Sequence, residues 1–190
     1  MENCLEKDQS LTALGIKIAL NTGMRIGEIC ALKWEDVDMK HAIIHVRHTI
    51  TRIKNSDENL AVKTCLVVDK PKTKTSVRDI PITGKLFHVL KNVKEKHQNC
   101  FVVSGAEKFI SPRTFEYRYH KILENYCIRQ INFHGLRHTF ATRCVELNVD
   151  IKSLSEILGH ANVNITLNTY VHSSLELKRN QLEKLSVMFG

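Results

Sequence analysis

The sequence predicts a mixed, mainly helical domain carrying a small three-stranded antiparallel β-sheet, and three observations lead there. Apolar residues recur every three or four positions near both ends of the chain, as on one face of a helix. Between about 44 and 82 they alternate instead, as in half-buried strands, and two polar stretches, NSDEN at 55–59 and PKTKTS at 71–76, cut that region into three. At 190 residues the chain suits one domain, long enough to bury roughly 70% of the surface exposed by its unfolded form.

Each element has a local signal. A helix over 10–20 begins at Ser10, a suitable N-cap, carries Leu11, Leu14 and Ile18 at helical spacing, and ends at NTG, 21–23. A second helix is expected from about 24 to 32, and a polar turn over 34–39. Alternation from Ile44 through Val46, His48 and Ile50 predicts the first strand, and residues 61–68 and 77–82 the other two. NSDEN reads as a hairpin turn, and PKTKTS, rich in lysine, as an exposed loop. Leu86, Leu90 and Val93 predict a helix. Phe115, Tyr119, Ile122 and Tyr126 predict another, opened by Ser111 and Pro112, a cap with proline at the first helical position. Leu136, Phe140, Cys144 and Leu147 form a stripe over 135–147 that stops at Asn148, and Ile151, Leu154 and Leu158 a shorter one that stops at Gly159. Tyr170 falls at the edge of a further short helix.

Composition narrows the function. Lys and Arg number 28 against 20 Asp and Glu, a formal net charge of +8 that favours a polyanionic partner such as nucleic acid. No apolar run approaches the ~18 residues of a membrane span, and the start MENCLEKDQS lacks the basic and apolar regions of a signal peptide. A soluble, cytoplasmic protein is expected. The six cysteines lie at least 17 residues apart, so no CxxC metal or redox motif exists. Cys30 and Cys144 fall in helical stripes, where a thiol behaves as a small hydrophobe.

Chemistry concentrates in an ordered series near the end of the chain: His134 and Arg137 in HGLRH, His160 in ILGH, and Tyr170 in TLNTY. Spaced three apart at a helix start, His134 and Arg137 share one side of its first turn, where an anion is favoured. Arg25 follows the helix-ending TG and opens the second helix. Each residue also has an ordinary reading. Arg25 can pair with Glu28 at i,i+3, His160 can complement a helix C-terminus, and Tyr170 can pack with one end wet. Taken together, imidazoles, arginines and a phenol suit phosphoryl transfer to a side chain without a metal.

The joint order carries a resemblance. TGMRIGEICALKWEDVD resembles the first arginine box of the tyrosine recombinases, the phage integrase family, HGLRHTFAT resembles its H-x-x-R box, and LGHANVNITLNTY its final histidine and nucleophile segment. The matching segments extend from residue 22 to 170. The resemblance implies the tyrosine recombinase catalytic-domain fold and site-specific recombination of double-stranded DNA, with a lean toward integrases of phages or integrative conjugative elements. Tyr170 would attack a phosphodiester, form a 3′-phosphotyrosyl link and release a 5′-hydroxyl, with no cofactor. Arg25 and Arg137 would grip the non-bridging oxygens as planar, always-charged forks, and His134 and His160 would hydrogen-bond the same phosphate. Glu28 would orient the cations. The family's general acid is a lysine between its second and third strands; Lys72 is preferred because K-T-x-x-S-x-R starts there, with Lys74 the alternate.

Two expectations concern assembly. The family works as a tetramer on DNA with an N-terminal core-binding domain, and only about twenty residues precede Arg25 here, so the whole chain, 1–190, reads as a single C-terminal catalytic domain, monomeric alone. The tail after Tyr170, with Leu175, Leu177, Leu182 and Leu185, can cover its own core or a neighbour's. Two other functions fit parts of the pattern, a type IB topoisomerase relaxing DNA and a non-catalytic DNA-binding relic.

Overall fold

A computed structural model describes residues 1–54, 64–70, 74–94, 99–170 and 182–183. Its helices are α1 (Glu2–Lys7), α2 (Leu11–Thr22), α3 (Ile26–Ala31), α4 (Gly84–Lys94), α5 (Pro112–Asn125), α6 (His134–Glu146), α7 (Ile151–Leu158) and α8 (Val163–Tyr170). Its strands are β1 (Val37–Asp38), β2 (Ile43–Val46), β3 (Thr49–Lys54), β4 (Thr64–Asp69) and β5 (Arg78–Pro81). Short-range chemistry sets most boundaries. The Ser10 hydroxyl accepts from the Ala13 amide at 3.1 Å, Ser111 from Thr114 at 3.0 Å, and the Asp150 carboxylate from Ser153 at 2.8 Å, each satisfying an amide that has no partner in its own helix. Gly23 and Gly159 close α2 and α7 with φ of 64° and 65°, a left-handed cap that glycine adopts without strain.

The strands pair differently from the single sheet that the alternation implied. β1, β2 and β5 make a three-stranded antiparallel sheet in that order, while β3 and β4 form a separate two-stranded ribbon. The strand expected from Ile44 to Ile50 is two strands, because pairing with β5 ends at Val46 opposite Arg78 and pairing with β4 starts at Thr49 opposite Asp69. Inward burial of Ile44, Val46 and Ile50 continues across the break. A change of partner therefore leaves no trace in the pattern. The region 34–39, read as a polar turn, is one turn of 3₁₀ helix followed by β1, and Trp34 is 1% exposed in the core. Residues 55–63, including the NSDEN turn, lie outside the described residues, as does most of the tail after Tyr170.

α2 is the central helix, with Ala13, Ile16, Ile18 and Ala19 fully buried, and it packs against α3, α4, α5 and α6. Phe115 and Tyr119 of α5 meet Phe133 edge to face at 5.5 and 5.2 Å between ring centroids, an arrangement favoured by the ring quadrupoles. α3 lies directly on β3. A side chain at Gly27 would put its Cβ 2.7 Å from Thr49 Oγ1 and 2.9 Å from the Ile50 carbonyl, so the missing Cβ permits the approach. A second, smaller cluster joins Ala141 of α6 to Leu154 and Leu158 of α7, with Tyr170 packed against it. Cys30 is fully buried and its thiol is pushed up to about 12 by burial, as suits an inert core residue. No helix among the described residues is long and apolar enough to cross a membrane.

Candidate active site

The architecture brings three helix ends to one place: the start of α3, the start of α6 and the end of α7. The last turn of a helix leaves carbonyls without intrahelical partners and carries the negative end of its dipole. At α7 those carbonyls collect arginines. Ile157 O accepts from Arg78 Nε at 2.5 Å, Leu158 O from Arg137 Nη2 at 2.8 Å, and Gly159 O from Arg25 Nη2 at 3.3 Å. Three consecutive carbonyls thus each hold a different guanidinium, drawn from the N-cap of α3, from β5 and from α6.

Glu28 ties this array together. Its Oε1 accepts from Arg25 Nη1 at 2.9 Å and Arg78 Nη1 at 3.1 Å, and its Oε2 from the Arg25 amide and Arg78 Nη2, both at 2.9 Å. All four acceptor positions of a carboxylate are therefore filled. Burial opposes its ionisation, but the hydrogen bonds and charges of Arg78 and Arg25 outweigh burial and hold the carboxyl below its ordinary value. Arg25 does pair with Glu28 at i,i+3, as its ordinary reading supposed, and the pair serves the site because the other edge of the guanidinium reaches Gly159.

Arg137 is buried and donates from Nη1 to Gly23 O at 2.8 Å and from Nη2 to Leu158 O and His160 Nε2, both at 2.8 Å. Burial, with Arg25 beside it, draws its pKa down to about 10, which leaves it charged at neutral pH. Both glycine caps therefore present a carbonyl to an arginine, Gly23 to Arg137 and Gly159 to Arg25. At Gly23 an added Cβ would stand 2.6 Å from Phe140 Cδ1 and 2.7 Å from Leu158 Cδ2. Gly23→Ala combines overpacking of about 1–3 kcal/mol with about 1–2 kcal/mol of left-handed strain. The expected outcome is a lower urea midpoint at unchanged slope, and an unmoved midpoint would show that the α2–α6–α7 junction gives way easily.

Arg25, His134 and Arg137 line one cleft of about 320 Å³, floored by Gly27, Thr49 and Ile50. His134 is exposed at the mouth, where burial and then the neighbouring His138, Arg137 and Arg25 lower its pKa. His160 sits behind Arg137. Burial first, then Arg137, Arg25, Arg78 and His134, brings its pKa down from 6.5 to about 4. It is neutral at pH 7, so the arginines, and not His160, complement the α7 terminus. The unfolded chain binds a proton at this histidine near 6.5 that the folded chain refuses until about 4. Its contribution to stability is accordingly full above that window and lost as pH falls through it. Urea midpoints should fall from pH 6.5 to 4, and less steeply in His160→Gln; equal slopes would contradict the depressed pKa.

Tyr170 ends α8 beside the cleft. Its ring lies 5.5 Å from that of His138, which in turn stands 4.7 Å from His134. Burial raises the phenol's pKa, while the charges of Arg137 and Arg25 pull it back. Among the expected residues the structure thus gathers Arg25, Glu28, His134, Arg137, His160 and Tyr170. Lys72 lies outside the described residues, and of Lys74 only the backbone is described, opening the 3₁₀ turn Lys74–Ser76. That turn runs against the end of α7, since a Cβ at Gly159 would be 3.1 Å from Thr75 O, and Arg78 Nη1 donates to Ser76 O at 3.0 Å.

Arg78 was not anticipated as a site residue. Its signal in the sequence is the last position of K-T-x-x-S-x-R. Thr166, whose Oγ1 meets His160 Nδ1 at 2.8 Å, and His138 have no spacing in the sequence that distinguishes them from ordinary helix positions.

The chain matches the phage integrase family over residues 1–176, and it belongs to that family. A tyrosine recombinase XerC-like protein of Caldanaerobacter subterraneus subsp. tengcongensis is 33% identical, over 96% of this chain and 51% of its own length. The ICEBs1 integrase of Bacillus subtilis is 26% identical, over 95% and 50%. Among solved structures, the Tn1549 transposon integrase in complex with transposon right end DNA superposes with a TM-score of 0.77 at 25% identity, over 97% of this chain and 64% of that one. XerA recombinase, at 21% identity and a TM-score of 0.66, shares the fold. The chain spans about half the length of the curated relatives it matches.

Proposed function

We propose that this chain is the catalytic part of a site-specific recombinase that cuts and rejoins double-stranded DNA through a covalent 3′-phosphotyrosyl intermediate. The observation that carries the reading is the single cleft lined by Arg25, His134 and Arg137, with His160 bonded to Arg137 and Tyr170 beside the His134–His138 pair. Tyr170 Oη attacks the scissile phosphorus and gives its proton to one of the two imidazoles, His134 or His160, while the bond to the 5′-oxygen breaks and the phosphodiester energy is kept in the new link. Arg25 and Arg137 bind the non-bridging oxygens, where fixed positive charge is worth most as negative charge builds up. His134 and His160 hydrogen-bond the same group, and Glu28 holds Arg25 in register while Arg78 locks Glu28. Attack by the 5′-hydroxyl of another strand reverses the step and exchanges strands, in a tetramer on two duplexes. A DNA substrate is in keeping with the cytoplasmic location expected from the sequence. The complex of the Tn1549 integrase with transposon DNA supports DNA as the substrate.

The leaving 5′-oxygen needs a proton. We assign its donation to Lys72, with Lys74 the alternate, supported by the approach of the 74–76 backbone to Gly159. A 5′-phosphorothiolate substrate, whose sulfur leaves without protonation, should restore cleavage to Lys72→Ala. Restoration of Lys74→Ala alone would transfer the role.

The function itself is tested with a DNA duplex nicked close to the cleavage site, incubated with the protein in excess chelator. A covalent protein–DNA band is expected, and its absence over a panel of candidate sites from mobile-element ends would contradict the reading. Relaxation of supercoiled plasmid at low protein concentration, without recombinant products, would favour a topoisomerase instead.

A further inference from the structure

We infer that Thr166 is a positioning residue that holds the His160 ring and supports, as acceptor on Nδ1, the tautomer that Arg137 selects; its catalytic consequence rests on the DNA-cleavage reading above. A guanidinium has donors and no acceptor, so the 2.8 Å contact from Arg137 Nη2 makes His160 Nε2 the accepting nitrogen. A neutral imidazole with Nε2 accepting carries its proton on Nδ1. That proton is donated to Thr166 Oγ1, 2.8 Å away. Thr166 is fully buried, so the acceptor is held by packing and does not compete with water. The neutrality of His160 at pH 7 is consistent with this assignment.

The arrangement does more than seat a ring. Thr166 lies four residues before Tyr170 on α8, on the same helix face. The line Arg137, His160, Thr166 therefore connects the phosphate-binding arginine to the helix that bears the nucleophile. A hydroxyl can also donate. If Arg137 turns Nη2 toward a bound phosphate and His160 exchanges its proton with solvent to carry it on Nε2, Thr166 can donate to Nδ1 and keep the ring in place. Valine, nearly the same shape, can do neither.

The test uses the whole chain with ¹⁵N-labelled histidine. Without DNA, His160 is expected as one tautomer, protonated on Nδ1 and unprotonated on Nε2. Thr166→Val should produce a population protonated on Nε2, and Thr166→Ser should restore the single tautomer. On the nicked duplex, Thr166→Val should slow covalent-complex formation by about 10-fold or more, as loss of an orienting partner does elsewhere, with serine recovering most of the rate. A parent protonated on Nε2 overturns the proposal without any variant having to fold, and so does a Thr166→Val rate equal to the parent's. Failure of the parent to form a covalent complex would instead strike the cleavage reading and leave the tautomer result standing.

Discussion

Tyr170→Phe should reduce covalent protein–DNA complex to background, a loss of more than about 10⁴-fold, of the order seen when a nucleophile is removed elsewhere. The substitution removes one oxygen and keeps the ring. Phenylalanine retains the packing on the Ala141, Leu154 and Leu158 cluster and the contact with His138, so the fold and DNA binding should persist. This separates chemistry from folding. The parent phenol is a poor nucleophile at rest, because an unperturbed tyrosine is ionised about once in a thousand at pH 7 and burial raises the Tyr170 pKa further. Arg137 and Arg25 oppose that rise, and they are the groups expected to meet the phosphate. Gel mobility and denaturing gels on the same samples should show binding retained and the covalent band gone. A covalent band surviving in Tyr170→Phe would remove Tyr170 from its role.

Glu28→Ala should destabilise the fold by about 3–5 kcal/mol, the usual cost of removing one partner from a buried ion pair. Glu28 and Arg78 are 3% and 9% exposed, and truncation leaves two guanidiniums beside an empty site. For a domain of this size each kcal/mol moves the melting temperature by about 2–4 °C, so a fall of roughly 6–20 °C is expected. Glu28→Gln keeps the shape and one acceptor oxygen and should lie between. Cleavage should suffer too, by about 10–100-fold in Glu28→Gln, because Arg25 loses the charge that sets its fork. Thermal unfolding and single-turnover cleavage measure the two effects. A melting temperature within 2 °C of the parent's, a margin of about 1 kcal/mol or less, would mean that Arg78 is held by Ile157 and Ser76 alone.

The helices were legible because their signals are local. Ser10, Ser111, Gly23 and Gly159 act within a turn of their own positions, and the sequence-based boundaries fall within a few residues of α2, α5, α6 and α7. The split between β2 and β3 was not legible, because alternation records which face is buried and not which strand lies alongside. The site divides the same way. The side chains proposed to act on phosphate stand in the sequence as Arg25, His134, Arg137, His160 and Tyr170, in recognisable order. What holds them does not: Arg78 meets Glu28 across 50 positions, and the Ile157, Leu158 and Gly159 acceptors are backbone atoms that any residue would supply. Their role comes from a helix ending where three arginines converge.

If this convergence serves a tyrosine nucleophile, as proposed, the covalent adduct records which side chain attacked. Covalent complex trapped on a nicked duplex can be digested with nuclease and protease and its modified peptide sequenced by mass spectrometry. The expected result is a single adduct, a nucleotide joined through its 3′-phosphate to Tyr170 in the peptide containing TLNTY, and a free 5′-hydroxyl on the released strand. An adduct on another side chain, or a link through a 5′-phosphate, would contradict it.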